Sequence, residues 1–292
     1  MNDQSPVAAY LDACKNYHEI QEYESETPSF LKKLRAQQVV LQSCVQHLLA
    51  AADSQDPEVW RAIGAAFNTG LGAPRNADEA IRWFQRAAEA GYAPAMVSLG
   101  LRLQHPDTPR NHVAAINWFQ KAADLGNPNG MIFLGFAYRE ATGVPSDYAK
   151  AVEWFIKAVE AGDTHSMIHV GRMHAHYLKF PADAVSWFLR AAKAGLSESY
   201  VELAILYDDR QTVVYDPAEA HKWYRVVAEH SEGNSSRALL AIARQYSEGV
   251  GVPCDVEMAR VWLRRLLQAV PVKSSAHREA TLLLKKLDDQ FL

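Results

Sequence analysis

The chain has 292 residues, of which 49% are hydrophobic and 22% charged, with 34 acidic against 30 basic side chains and a formal charge of −4. This composition is that of an ordinary folded, soluble protein and excludes disordered and collagen-like classes. The near-neutral charge argues against nucleic-acid binding, because neutralising phosphates needs a basic surplus. No apolar run approaches the roughly 20 residues of a membrane-spanning helix.

The N-terminal segment and the cysteines predict a cytoplasmic protein. The segment Met1–Pro6 has neither the basic region nor the apolar core of a secretory signal. Cys14, Cys44 and Cys254 are few and odd in number, which fits thiols in a reducing compartment. Pairing of Cys14 with Cys44 stays open at this stage.

Residues 1–56 predict a helical hairpin that caps the fold, with helices over 5–23 and 28–52. Its apolar residues are expected to face one another: Val7, Tyr10, Leu11, Cys14 and Tyr17 against Phe30, Leu31, Leu34, Leu41, Cys44 and Leu48. A stacked repeat protein needs such polar-faced end units to cover its last hydrophobic face. A dimer or partner surface is the alternative interpretation.

The next segment, 57–270, repeats itself six times. Each unit carries a tryptophan followed by an aromatic or apolar residue, at spacings of 35, 36, 33, 36 and 39. These pairs are Trp83-Phe84, Trp118-Phe119, Trp154-Phe155, Trp187-Phe188, Trp223-Tyr224 and Trp262-Leu263. The repeat boundaries predicted from this period are 57–91, 92–126, 127–162, 163–195, 196–233 and 234–270.

A second pattern, upstream of each tryptophan and in phase with it, is centred on a small residue. The small residues are Gly64, Gly100, Gly135, Gly171, Ala204 and Ala243. Apolar residues flank them at spacings of three and four, which indicates an amphipathic helix. Each unit is therefore predicted to be a first helix, a loop and a second helix. We expect the small residues to let helices approach closely, with an aromatic side chain of the adjoining unit filling the space.

Helix ends follow the same period. Seven residues before the tryptophan lies an N-cap residue in five units: Asn76, Asn111, Asp147, Asp216 and Asp255. Glu79 and Glu219, three residues further on, suggest capping boxes. Eight residues after the first four tryptophans lie Gly91, Gly126, Gly162 and Gly195, which suit the left-handed conformation beyond a helix end.

The fourth unit departs from this pattern, because Phe180 stands at the cap position and three loop residues are missing. The chain gains three residues between the fifth and sixth units, around Gly233-Asn234-Ser235. Irregular stacking is expected at both places. Residues 271–292 predict a closing helix over 274–290 that presents Leu283, Leu284 and Leu287.

The signature resembles the Sel-one-like repeat, a branch of the tetratricopeptide superfamily. The sixth unit carries it most fully: Ala238, Ile242-Ala243, Tyr246, Gly249-Val250-Gly251-Val252-Pro253, Asp255, Ala259 and Trp262. The second unit lacks the loop glycines, and the last two units have alanine for the first-helix glycine. The resemblance implies an all-α fold, a right-handed α-solenoid superhelix of about six helix-turn-helix repeats with helical caps at both ends. An RNA-binding pentatricopeptide array has a similar period, but the negative charge and the Trp-aromatic pairs disfavour it.

No constellation of catalytic residues stands out. His165, His169, His174 and His176 crowd into one segment, and His165 with His169 could share one helical face. The four do not converge on a helix and no carboxylate or cysteine completes a ligand shell. The sequence therefore predicts no metal site, no cofactor and no enzyme activity, with a metal-dependent or other hydrolase as a disfavoured alternative.

The resemblance implies that first helices line a concave groove. The residues three before, one after and four after each small residue should then face inward. From these rows and the histidine segment the predicted partner-binding residues are Arg61, Leu101, Phe136, Arg139, His165, Arg172, Ile205, Asp208 and Arg244. Leu101, Phe136 and Ile205 are predicted to anchor a peptide, with Arg139, Arg172 and Arg244 pairing with its carboxylates. Alternatively, these positions are buried between neighbouring first helices.

The resulting hypothesis is a non-catalytic adaptor that holds a partner protein or peptide in the groove. Known members of the family act mostly as adaptors, and bacterial ones include secretion-system accessories and immunity proteins. A dedicated inhibitor, immunity protein or chaperone for a secreted toxin or effector is therefore the alternative. A cysteine-rich branch linked to β-lactam binding is excluded as a guide, because its paired cysteines are missing here.

Overall fold

The fold is an all-α solenoid. The computed structural model describes residues 5–23, 28–106, 110–230 and 235–289, without the side chains of 22, 23 and 28–31. The described residues form fifteen α-helices and no strand. The helices are α1 Pro6–Tyr23, α2 Pro28–Ala50, α3 Pro57–Thr69, α4 Ala77–Glu89, α5 Ala93–Gln104, α6 His112–Asp124, α7 Pro128–Glu140, α8 Tyr148–Glu160, α9 Ser166–Arg172, α10 Pro181–Lys193, α11 Glu198–Asp208, α12 Pro217–His230, α13 Ser236–Glu248, α14 Val256–Ala269 and α15 Ser275–Asp289. A 3₁₀ turn, Ala52–Ser54, follows α2, and a π-helix, Met173–Leu178, follows α9.

The helices form two compact units, Met1–Gly162 and Asp163–Leu292. In the first unit, α1 and α2 pack as a hairpin and both contact α3. Val7 and Tyr10 are buried in one core with Leu41 and Leu48, as the sequence predicts. The expected inward position of Leu11 is wrong, because its side chain is exposed. The predicted partners Phe30 and Leu31 lie outside the described side chains.

In the second unit, α15 packs on α14 and α13, as expected of a closing helix. Leu287 is buried in the core that these helices share, and Leu283 and Leu284 are half-buried against it. The division of the chain into caps and repeats remains a prediction from the sequence.

In the first four repeats a phenylalanine packs directly against a glycine in the core. A Cβ atom added to Gly64, Gly100, Gly135 or Gly171 would lie 2.4–2.6 Å from a phenylalanine ring carbon. The four rings are those of Phe84, Phe119, Phe155 and Phe188, all buried. The prediction of close approach is confirmed, but the expected origin of the aromatic side chain is wrong. The ring comes from the second helix of the same repeat, so the glycine and the ring hold the two helices of one hairpin together.

The tryptophans serve a different purpose from the phenylalanines. Trp83, Trp118, Trp154 and Trp187 are only half-buried. In five of the six repeats a cation three residues after the tryptophan lies over the indole ring, 4.0–5.5 Å from its centroid. These cations are Arg86, Lys121, Lys157, Arg190 and Arg265. Since residues three apart are neighbours on a helix, the stacking covers the exposed part of each indole with a charged group.

The five predicted N-caps are confirmed. The side-chain oxygens of Asn76, Asn111, Asp147, Asp216 and Asp255 each accept a backbone N–H from the first turn of the second helix. The predicted capping boxes are wrong. Glu79 pairs with Arg82, and Glu219 with Lys222. The N–H of the cap residue donates instead to a carbonyl of the first helix, as Asn76 does to Phe67 at 2.9 Å.

This backbone bond recurs in all six repeats at 2.9–3.0 Å. Its acceptors are the carbonyls of Phe67, Leu103, Tyr138, His174, Tyr207 and Tyr246. In the fourth repeat only six residues separate acceptor and donor, against eight or nine elsewhere. The π-helix 173–178 and the left-handed Lys179 (φ 62°) shorten the path, so His174 O still reaches Phe180 N. The change in the last turn of the first helix therefore compensates for the three missing loop residues.

We expect Gly100→Ala to lower the free energy of unfolding by about 1–2 kcal/mol. Overpacking costs roughly 1–3 kcal/mol, and the better helix propensity of alanine returns up to about 1 kcal/mol. Urea denaturation measures the loss. The double variant Gly100→Ala/Phe119→Leu should lose less stability than the sum of the losses measured for the two single variants. Strict additivity would contradict the contact.

The cap Asp147 predicts a pH dependence. The backbone N–H of Lys150 donates to its carboxylate and, with the nearby ammonium, lowers the pKa of Asp147 below its ordinary value of 3.8. Because the folded chain holds the proton less tightly, the stabilisation is present above pH 3.8 and disappears as the pH falls through the folded pKa. We expect wild type to exceed Asp147→Asn in stability at pH 7 and to lose that advantage towards pH 2. Asn111→Asp, at the equivalent cap, should acquire the same dependence.

Candidate partner-binding surface

In the first unit the first helices form a layer of their own. Helix α3 contacts α5, and α5 contacts α7, while α4, α6 and α8 pack behind them. The residues that the sequence places on this layer are half-buried, except that Val97 is buried and Leu101 is exposed. Val97, and Ile168 in the second unit, occupy the position three before the small residue. Burial between helices therefore applies to part of the predicted row and leaves the other positions accessible.

Phe136 and Arg139 are brought together on α7. The Arg139 guanidinium lies 4.7 Å from the centroid of the Phe136 ring, and its Nη2 is 2.5 Å from Glu140 Oε1. With Gln104 they line an open pocket of about 260 Å³. One turn before Gln104 on α5, Leu101 leaves 42% of its surface exposed.

Packed aromatic rings hold Phe136 in place. Its ring meets Phe155 edge-on at 5.3 Å and Phe133 at 6.3 Å. Phe133 in turn stacks on Phe119 at 5.0 Å. Because Phe119 and Phe155 are the rings seated on the repeat glycines, the pocket is built directly on the core. Arg61 lies apart on α3, half-buried, with no hydrogen-bond partner for its Nε among the described residues.

In the second unit the structure brings together Asp208 and Arg244. They line an open pocket of about 360 Å³ with Arg237 and Tyr224. Asp208 Oδ2 accepts the Tyr224 hydroxyl at 3.1 Å. Burial and the adjacent carboxylate raise the pKa of Tyr224, so its hydroxyl remains a donor. Arg244 pairs with Glu279 of α15.

The other predicted residues of this unit lie outside that pocket. Arg172 donates from Nε to Glu202 at 2.7 Å and from Nη2 to Glu198 at 3.4 Å. Ile205 is half-buried on α11. His165 is exposed just before α9 and lies off the predicted row. Arg139, Arg172 and Arg244 thus each hold a carboxylate of this chain, with which an acidic partner would compete.

Sequence reasoning missed a buried polar pair between α12 and α13. His221 Nδ1 lies 3.0 Å from Gln245 Oε1, and the His221 ring meets Tyr246 edge-on at 5.1 Å. Two residues before the tryptophan, the first four repeats carry an apolar residue: Ile81, Ile116, Val152 and Val185. A histidine at that place was the signal available in the sequence.

The histidine segment forms no evident metal site in the part of the chain described. No group of three or more His, Cys, Asp or Glu side chains there could hold a metal ion. His174 Nδ1 approaches Asp183 Oδ2 at 3.7 Å, while His165 is exposed. Cys14 and Cys44 are free thiols, and the Cys44 thiol donates to Ala9 O at 3.8 Å.

Among the described residues, no helix has both the length and the apolar character needed to cross a membrane.

Comparison with protein families gives a match to the Sel1 repeat over residues 61–92, 93–127, 128–163, 181–196, 197–230 and 236–268. The chain belongs to the Sel1 repeat family. It is therefore a repeat scaffold of the kind that typically mediates protein–protein interaction. The fourth match, 181–196, covers only the second helix of its repeat. The first helix of that repeat is the one that ends in the π-helix. Among curated proteins no match was found.

Solved structures of Sel1 and TPR repeat proteins are similar to the chain. A protective antigen of uropathogenic Escherichia coli strains, displaying an SLR fold, is 28% identical with a TM-score of 0.67, over 84% of this chain and 52% of its own. A Sel1 repeat protein from Oxalobacter formigenes is 24% identical (TM-score 0.58), over 93% and 100% of the two chains. The C-terminal part of a TPR repeat-containing protein from Cytophaga hutchinsonii is 13% identical (TM-score 0.59), over 93% and 98%. The chain spans about half the length of the Escherichia coli protein.

The buried His221 predicts a second pH dependence. Burial lowers the pKa of His221 below its ordinary value of 6.5. The unfolded chain therefore binds the proton more readily, and stability falls as the pH drops below 6.5. Thermal unfolding between pH 7.5 and 5 should show a smaller loss for His221→Gln, which keeps a donor near Gln245, than for wild type. An equal loss in both proteins would contradict the assignment.

Proposed function

We propose that this chain is a non-catalytic scaffold that binds a partner protein on the layer of first helices. The observation that carries the proposal is the pocket at Phe136, together with the exposed Leu101 on the preceding first helix. A pocket lined by a rigidly packed aromatic ring can accept an apolar side chain without reorganising the free protein. Interfaces gain most of their affinity from such buried anchors.

The charges around this pocket favour a partner segment that is apolar with a carboxylate beside it. The guanidinium of Arg139 is already stacked on Phe136, so little further ordering is needed to present it. Its present partner, Glu140, has a largely exposed side chain, and a partner's carboxylate can take its place.

The second unit offers the same kind of contacts. Ile205 supplies an apolar side chain, and Arg172 and Arg244 supply guanidiniums on a first-helix row. The proposal includes Asp208 at the pocket shared with Arg244, and Arg61 and His165 as polar contacts towards the start of each unit. A cytoplasmic location is part of the proposal.

Leu101→Gln tests the surface with a control from the same repeat. Val113, on α6, is 62% exposed and belongs to a second helix. Val113→Gln makes the same chemical change on the opposite layer. We expect affinity capture with quantitative mass spectrometry to recover one partner with wild type and Val113→Gln and to lose it, roughly tenfold or more, with Leu101→Gln.

Equal recovery by Leu101→Gln would place binding elsewhere. The captured complex also separates the two roles that a scaffold can have. A tight one-to-one complex with a secreted toxin or effector would assign a dedicated inhibitor, whereas several intracellular partners would assign an adaptor.

A further inference from the structure

At two junctions, between the second and third repeats and between the fifth and sixth, a loop glycine contacts the preceding repeat. Eleven residues before the tryptophan, Gly143 and Gly251 take positive φ, at 77° and 76°. A Cβ added to Gly143 would lie 2.8 Å from the backbone of His112, and one added to Gly251 would lie 2.2 Å from Pro217 O. His112 and Pro217 each begin the second helix of the preceding repeat. The loop of one repeat therefore rests directly on the helix start of its neighbour.

The fifth repeat lacks this glycine. Thr212 stands at the glycine position, and the helix start on which it would rest is Pro181 of α10. A threonine side chain does not fit where even one added carbon comes within 2.8 Å of the backbone. Thr212 does not adopt positive φ, and its hydroxyl bonds to the carbonyls of Asp209 (3.0 Å) and Leu206 (3.4 Å).

The loop with Thr212 and the start of α10 together line an open pocket of about 580 Å³. Lys179 and Phe180, which follow the π-helix of the shortened fourth repeat, line the same pocket. Two apolar side chains border the pocket with much of their surface in solvent, Phe180 at 56% and Val213 at 89%. Both lie within the second unit.

Charge identifies the kind of ligand. The pocket residues carry two carboxylates, Asp183 and Asp209, against the single ammonium of Lys179. Asp209 Oδ1 accepts the backbone N–H of Gln211 at 2.9 Å. Asp183 is near His174 but is otherwise largely exposed. The rim is therefore net negative around an apolar interior.

We infer that this pocket binds a segment of a partner protein in which a large apolar side chain stands beside a lysine or arginine. The apolar residue fills the gap between Phe180 and Val213, and the cation meets Asp183 and Asp209. The site is separate from the first-helix surface of the first unit, so either can exist without the other.

Selection from a phage-displayed library of random heptapeptides on the immobilised full chain tests the inference. We expect enriched peptides to combine a large apolar residue with a basic one. Fluorescence anisotropy of a selected peptide should show binding at least about tenfold weaker to Phe180→Asn. Phe180→Asn restores the cap residue of the sister repeats, so its melting temperature should be unchanged or about 2 °C higher, which excludes misfolding as the cause.

Matched variants separate the contributions. Leu282→Gln, at another exposed apolar residue on α15, and Leu101→Gln should bind the peptide like wild type. Asp183→Asn/Asp209→Asn should weaken binding at low salt, with a difference that shrinks at high salt. No enrichment, acidic peptides, or full binding by Phe180→Asn would overturn the inference. So would a dimer, seen by light scattering, that Phe180→Asn abolishes, because the occupant would then be a second copy of the chain.

Discussion

The first four repeats depend on the contact between a glycine in the first helix and the phenylalanine after the tryptophan in the second. Where the small residue is glycine, the facing side chain is a fully buried phenylalanine. In the last two repeats alanine replaces glycine, and Tyr224 and Leu263 take the place of phenylalanine. Because ring and glycine belong to one hairpin, each repeat is held together internally before it meets its neighbours. The tryptophans of the first five repeats are half-buried and Trp262 is buried, and in five of the six repeats a cation lies over the indole ring.

The backbone bond between the two helices explains where variation is tolerated. It persists in the fourth repeat although three residues are missing, because a π-helix shortens the path between His174 and Phe180. Loop changes therefore do not disturb the hairpin, but they do alter the contact between hairpins. In the fifth repeat, where Thr212 stands at the loop-glycine position, the backbone bond of the hairpin is kept and an open pocket lies beside the loop.

Burial and internal ion pairs limit how much of the first-helix layer is available for binding. On the first-helix layer, the position three before the small residue is buried at Val97 and Ile168, and three predicted arginines hold carboxylates of the chain itself. What remains available is a small number of apolar side chains, Leu101 and Phe136 foremost, set on a rigid aromatic core. If the proposed function holds, a partner meets preformed pockets rather than a continuous charged groove.

The sequence alone determined the features that repeat at short range: helix pairs, the Asn and Asp caps, the left-handed glycines, and the family. Each depends on residues a few positions apart, so the period of the pattern reveals it. Only the tertiary structure decided that Phe84 and its equivalents, rather than an aromatic residue of the next repeat, fill the glycine seats. It also decided that Arg244 pairs with Glu279 and that Thr212 and Pro181 line one pocket. These outcomes depend on distances between side chains that are tens of residues apart, which no local periodicity encodes.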